Sequence, residues 1–136
     1  MRLTKEDKEL LLQNIAFRLP YKVKCNIGDD QIYTISTLEI DDDNGHLITM
    51  VETKNGLKMQ VYLSEIKLYL IPKTTENIQM FDYDYNKLIE AATYDLVYDT
   101  DNAFYHEMAF FGKYHIDASG LIEKGLAIDA SNLNIY

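Results

Sequence analysis

The spacing of the apolar residues changes from four to two across Pro20, and no single element of secondary structure accommodates both periods. Before it, Leu11, Ile15 and Leu19 recur every fourth residue, with Leu12 and Ala16 beside them. That is one stripe of an α-helix. Thr4 stands where it can cap the first free N–H groups, and Glu6, Asp7 and Glu9 favour the positive end of the helix dipole. Pro20 cannot continue the helix and biases Leu19 toward an extended backbone. Beyond it, Tyr21, Val23, Cys25 and Ile27 alternate with Lys22, Lys24 and Asn26, the period of a half-buried strand.

Turn residues divide the chain beyond Ile27. Gly28-Asp29-Asp30-Gln31 predicts a turn, and Ile32–Ile40 a second strand with Ile32, Leu38 and Ile40 on one face. A four-residue loop sets Ile27 opposite Ile32 and Tyr21 opposite Leu38. Asn44-Gly45 and Asn55-Gly56 mark two hairpins. At the first, a three-residue loop with Gly45 left-handed pairs Ile40 with Ile48 and Leu38 with Met50, which keeps the apolar face continuous. At the second, a two-residue turn ending in Gly56 pairs Met50 with Val61 and Ile48 with Leu63. Asp41-Asp42-Asp43 has the acidity of a calcium loop. An EF-hand loop needs its glycine at the sixth position, however, and counting back from Gly45 puts Ile40 first, which cannot ligate. Leu63–Pro72 then predicts a short helical turn from Ser64 and an extended exit.

The second half reads as helical. Thr75 can cap a helix carrying Ile78, Phe81, Tyr85, Leu88 and Ala92 on one stripe. Tyr94–Tyr98 is short and extended. Thr100 or Asp101 starts another helix, with Phe104, Met108 and Phe111 inward and Gly112 near its end. Asp117 is placed to cap a last helix, with Ile116 and Leu121 as a hydrophobic staple. Gly125 then fits a left-handed residue just past its end, where Leu126 meets Leu121 in a Schellman motif.

The expected fold is therefore α+β. Residues 1–73 form an N-terminal helix on a four-stranded antiparallel meander, for which an SH3-like small barrel and an open sheet both fit. Residues 74–136 form an acidic, tyrosine-rich helical lobe packed as one unit with the first. The chain of 136 residues is long enough to bury a core without metal or disulfide. Its single cysteine, Cys25, sits among alternating apolar residues and reads as a core residue.

Charge narrows the function. Residues 1–73 hold 10 Lys/Arg against 11 Asp/Glu, and residues 74–136 hold 3 against 11, so nearly all of the net −9 lies in the second half. Such a surface repels phosphate backbones, which argues against direct nucleic-acid binding. No apolar run is long enough to span a bilayer, and the first residues lack the apolar core of a signal peptide. A cytoplasmic location is the expectation.

Catalytic signatures are sparse. "HEMAF" has Phe110 where a zincin helix needs its second histidine. His115 and Asp117 could form an acid–base pair or a metal corner, but no third ligand is placed by spacing. No nucleophile elbow, P-loop or Rossmann fingerprint occurs. No cofactor and no metal are expected. The unusual feature is aromatic: residues 81–114 interleave ten Phe and Tyr with acids. They read either as core aromatics with solvated acids or as a recognition face of Asp82, Tyr83, Asp84, Tyr98, Asp99 and Asp101, since tyrosine gives large contact area at low entropic cost.

Four segments carry a resemblance. "LTKEDKELLL" (3–12), "RLPYKVK" (18–24), "EIKLYLIP" (65–72) and "GLIEKGLAID" (120–129) resemble segments of small uncharacterised proteins of Bacteroidetes genomes, prophages and gut phages. The resemblance implies a phage or mobile-element setting and brings no activity and no catalytic residues. The leading expectation is a non-catalytic accessory protein that binds a protein partner, itself basic, through the acidic aromatic face. The alternatives are an acidic decoy occupying a nucleic-acid-binding protein of the host, and a hydrolase using His115 and Asp117.

Overall fold

The computed structural model describes residues 3–41, 46–80, 86–87, 90 and 108–136, with the main chain alone for 40–41 and 46–49. Helix α1 spans Lys5–Arg18, and Thr4 closes a full capping box with Asp7. The hydroxyl of Thr4 accepts from the Asp7 N–H, and the Asp7 carboxylate accepts from the Thr4 N–H. Leu11 and Ile15 are buried as the stripe requires. Ala16 is exposed, and Asn14 and Arg18 take the remaining buried positions of that face.

Among the described residues seven strands follow the helix: β1 Lys24–Asn26, β2 Tyr33–Asp41, β3 His46–Glu52, β4 Lys58–Tyr62, β5 Lys67–Pro72, β6 Ile116–Asp117 and β7 Ala127–Asp129. Their order is β4-β3-β2-β1-β5-β6, with β7 also on β5. β1 to β5 pair antiparallel, and β6 and β7 join β5 in parallel. The expected four-stranded meander is thus extended by β5 and by two short strands of the second half.

The first strand starts later than the alternation predicts. Leu19–Tyr21 continues as a 3-10 turn with Pro20 near its start, and Lys22 is left-handed at φ 55°. Proline is tolerated at such a start because its missing N–H would be unpaired there anyway. Only Val23 and Cys25 of the predicted alternation are fully buried.

Each predicted register is off by one. Cys25 pairs with Tyr33 and Lys24 with Thr34, so Tyr33 and Ile35 face the core and Ile32 is 38% exposed. The pairs Ile35–Val51 and Thr37–Met50 leave Ser36 as an inserted residue. This β-bulge shifts the alternation by one and returns Leu38 to the core face. The Ser36 hydroxyl bonds the Met50 carbonyl at 3.0 Å across it. Beyond the bulge Leu38 meets Thr49 and Glu39 meets Ile48, in place of the predicted Leu38–Met50 and Ile40–Ile48 pairs. In the second hairpin Thr49 meets Val61 and Met50 meets Gln60. Thr53 N–H donates to Leu57 O at 2.9 Å, leaving a three-residue loop, Lys54-Asn55-Gly56, with Gly56 at φ 84°. A three-residue loop ending in a left-handed glycine replaces the expected two-residue turn.

The second half departs further. Helix α2 spans Thr75–Gln79 and is capped by Thr74, not Thr75: the Thr74 hydroxyl accepts from the Asn77 N–H. Residues 108–113 are helical, with Gly112 inside this segment. No helix follows Asp117. Residues 116–117 are strand β6, and a single turn at 121–125 stands where the capped helix was expected. The cap and the stop are nevertheless present. Asp117 accepts from the Leu121 and Ile122 N–H groups, each at 2.9 Å. Gly125 is left-handed at φ 74°, Leu126 N–H donates to Leu121 O at 2.9 Å, and Gly125 N–H to Ile122 O at 3.1 Å. That is the Schellman pair of bonds.

The main core gathers Leu11 and Ile15 of α1, Val23, Cys25, Tyr33, Ile35, Val51 and Val61 of the meander, and Leu68, Leu121 and Leu126. A second cluster holds Phe110, Phe111 and Ile116. Burial holds the Cys25 thiol up at about 12, so it is an inert core group. The expectations for Gly45, Asp82, Tyr83, Asp84, Tyr98, Asp99 and Asp101, and for most of the helices across 81–107, lie outside the described residues. No helix among the described residues is long and apolar enough to cross a membrane.

Candidate functional site

Strand β5 changes partners along one edge, and several buried polar residues gather there. Lys67 and Leu68 pair with β1, whereas Ile71 and Pro72 pair with β6. Ile71 N–H donates to His115 O at 2.8 Å, while Leu70 O accepts from Ala130 N–H at 2.8 Å. Successive strand residues direct their polar groups to opposite edges, so β6 and β7 flank β5 on its two sides. Between β1 and β6 a gap opens at Tyr69. The Tyr136 hydroxyl fills this gap: it donates to Tyr69 O at 2.7 Å and accepts from Lys24 N–H at 2.8 Å.

His115 lies at the same junction, directly before β6. Its ring stacks on Tyr136 with centroids 3.6 Å apart and planes 12° from parallel. Its backbone is left-handed at φ 58°, unusual for a residue with a Cβ. The side chain is buried, and its Nδ1 has no hydrogen-bond partner among the described residues. Burial, and then the charges of Arg18 and Lys24, lower its pKa to about 4, so the ring is neutral at pH 7.

Beneath it, Arg18 is fully buried. Its Nη1 donates to Phe111 O at 3.2 Å and its Nη2 to Ile116 O at 2.5 Å and to Asn14 Oδ1 at 3.4 Å, while Nε has no partner among the described residues. Asn14 in turn donates to Leu10 O and to Ser119 Oγ. Burial lowers the Arg18 pKa to about 10, against the opposing pull of Asp117 and Tyr136, and the guanidinium stays charged at neutral pH. Helix α1 is thereby tied to both ends of the segment that carries His115.

A cleft of about 440 Å³ opens beside the junction, lined by Ile71, Met80, Lys113, Tyr114, His115 and Tyr136 among others. That volume suits a small ligand. The His115–Asp117 dyad is not formed. Both Asp117 oxygens accept backbone N–H groups, and the His115 Nδ1 that would need an acid to orient it has none among the described residues. Among the described residues, no group of three or more His, Cys, Asp or Glu could hold a metal.

Sequence reasoning singled out His115 and Asp117 but missed Arg18, Asn14, Lys24, Tyr69 and Tyr136. A signal existed for two of them: Asn14 and Arg18 fall on the stripe of Leu11 and Ile15. For Tyr136, whose partners lie 67 and 112 residues away, there was none. No family model, curated protein or solved structure matches the chain.

Proposed function

We propose that the protein is a non-catalytic interaction protein, an accessory of a phage or mobile element acting in the cytoplasm. The observation that carries this reading is the use of Asp117. Its carboxylate caps the turn that carries Leu121 and Ile122, so it does not serve His115 as an acid–base partner. The most suggestive catalytic pair in the chain is therefore committed to architecture, and what remains is a scaffold with an acidic second half. The partner surface in this reading is Asp82, Tyr83, Asp84, Tyr98, Asp99 and Asp101, and the partner is a basic protein.

The finer reading of the fold, an SH3-like small barrel, belongs to the same proposal. The order β4-β3-β2-β1-β5 and the 3-10 turn Leu63–Glu65 between β4 and β5 support it. The test is capture of partners by the tagged chain at low and high salt, beside a variant with Asp82, Asp84, Asp99 and Asp101 changed to Asn. Reproducible capture that the variant loses supports the interaction reading. Salt-sensitive capture of a nucleic-acid-binding protein favours the decoy. Turnover of a substrate that disappears in His115→Ala defeats both.

A further inference from the structure

We propose that a second cleft, beside the loop between β1 and β2, binds a small neutral saccharide. This goes beyond the partner surface above and uses none of its residues. Three segments distant in sequence meet at this cleft of about 530 Å³: residues 30–32, residues 53–55 of the second hairpin, and residues 134–135. Each contributes one exposed side-chain carboxamide, that of Gln31, Asn55 or Asn134. The bonds that shape the three segments come from other groups. Asn26 Oδ1 accepts from Gly28 N–H at 2.8 Å, and Asp29 Oδ1 accepts from Gln31 N–H at 3.1 Å. Thr53 Oγ1 accepts from Leu57 N–H at 3.1 Å, and Lys24 Nζ donates to Ile135 O at 3.1 Å. The carboxamides thus stand on segments already held in place, which lowers the ordering cost of binding. Asn134 is left-handed at φ 52°, a conformation that asparagine reaches more readily than most residues.

The chemistry of the lining selects the class. A carboxamide carries an acceptor and two donors in one plane, so it can bond two adjacent hydroxyls at once, donating to one and accepting from the other. Three carboxamides, the Asp30 carboxylate and the Thr34 hydroxyl supply both roles around one space. Ile32, an exposed apolar residue, offers surface to the C–H face of a sugar ring. Other classes use this lining less fully. A wholly apolar ligand would desolvate the carboxamides and return no hydrogen bond. A phosphate or carboxylate would meet the charge of Asp30 as well as that of Lys54, and Lys24 Nζ is already bonded to Ile135 O. A ring of neighbouring hydroxyls uses the donors, the acceptors and the apolar surface together.

NMR titration of the isotope-labelled full chain with the methyl glycosides of glucose, galactose and mannose, and with orthophosphate and triglycine, tests the assignment. At least one glycoside is expected to saturate at millimolar concentration and to shift the side-chain amide resonances of Gln31, Asn55 and Asn134 along one binding curve. Orthophosphate and triglycine are expected to bind at least about tenfold more weakly. Asn134→Gly keeps the left-handed backbone and removes one carboxamide, and Gln31→Ala removes another while keeping the backbone bond to Asp29. Each is expected to raise the Kd about three- to tenfold, with the rest of the spectrum unchanged. The proposal is overturned if no glycoside saturates, or if the saturating shifts fall away from the three carboxamides. Equal binding of orthophosphate or triglycine also overturns it, as does an unchanged Kd in the folded variants.

Discussion

The Tyr136 hydroxyl donates to the Tyr69 carbonyl oxygen at 2.7 Å and accepts from the Lys24 N–H at 2.8 Å, so a phenol stands where a ladder hydrogen bond between β1 and β5 would be. The register follows from Cys25–Leu68 and Asn26–Lys67, which would next bring Lys24 to Tyr69. Tyr136→Phe keeps the ring on His115 and removes both bonds. A loss of about 1–2 kcal/mol in urea-denaturation stability is expected, because two backbone groups lose their partner. An unchanged midpoint would mean that water replaces the hydroxyl without cost.

Arg18→Met tests the tie between α1 and the segment 111–116. Methionine fills much of the volume but leaves Phe111 O and Ile116 O without the guanidinium. The expected cost is about 2–4 kcal/mol, since unpaired carbonyls in a buried site keep their full desolvation penalty. Guanidinium-chloride unfolding measures it. A gain in stability would place this residue with the buried ions that apolar replacements outperform.

Two glycines should respond for different reasons. At Gly125 an added Cβ would meet nothing within 4 Å, but φ is +74°. Gly125→Ala should cost about 1 kcal/mol through backbone conformation alone, and Gly125→Val more. At Gly112 the added Cβ would meet Tyr21 Cδ2 at 3.0 Å and Phe17 Cδ2 at 3.2 Å. Gly112→Ala should act by displacing those rings, visible as shifts of the Tyr21 and Phe17 aromatic resonances that Gly125→Ala does not produce.

Protonation of His115 opposes folding. Its pKa is near 6.5 in the unfolded chain and about 4 in the folded one. The unfolded state therefore binds the proton first, and stability falls as pH drops from about 6.5 through 4, by about 1–3 kcal/mol from this residue. The comparison is thermal stability of the wild type and His115→Gln over that range. The variant should lose less stability on acidification. Parallel curves would show that the histidine does not titrate differently in the two states.

Short-range features were legible in the sequence because short-range chemistry makes them. The Thr4 capping box and the Gly125–Leu126 stop are closed by bonds between residues no more than five apart, so their spacing is their mechanism. The length of the last helix was not legible. Asp117 and Gly125 would bound a helix equally well, but Ile116–Asp117 is drawn into pairing with Ile71–Pro72, and only a single turn is left between. The meander was readable as strands, while its registers were not: the inserted Ser36 reverses the alternation within β2, which only the partner strand reveals, and the second hairpin closes through three residues in place of two. Strands of two or three residues such as β6 and β7 carry no period at all, and exist because β5 offers one edge to β7 and, beyond its pairing with β1, the end of the other edge to β6. The junction was decided entirely by tertiary structure. Arg18, His115, Lys24 and Tyr136 are separated by up to 118 positions, and although Arg18 falls on the buried stripe of α1, neither hydropathy nor spacing marks Lys24 or Tyr136 or joins the four. The burial of Arg18 is stabilised only once the chain has brought the Phe111 and Ile116 carbonyl oxygens within hydrogen-bond distance, and no stretch of sequence read alone contains that distance.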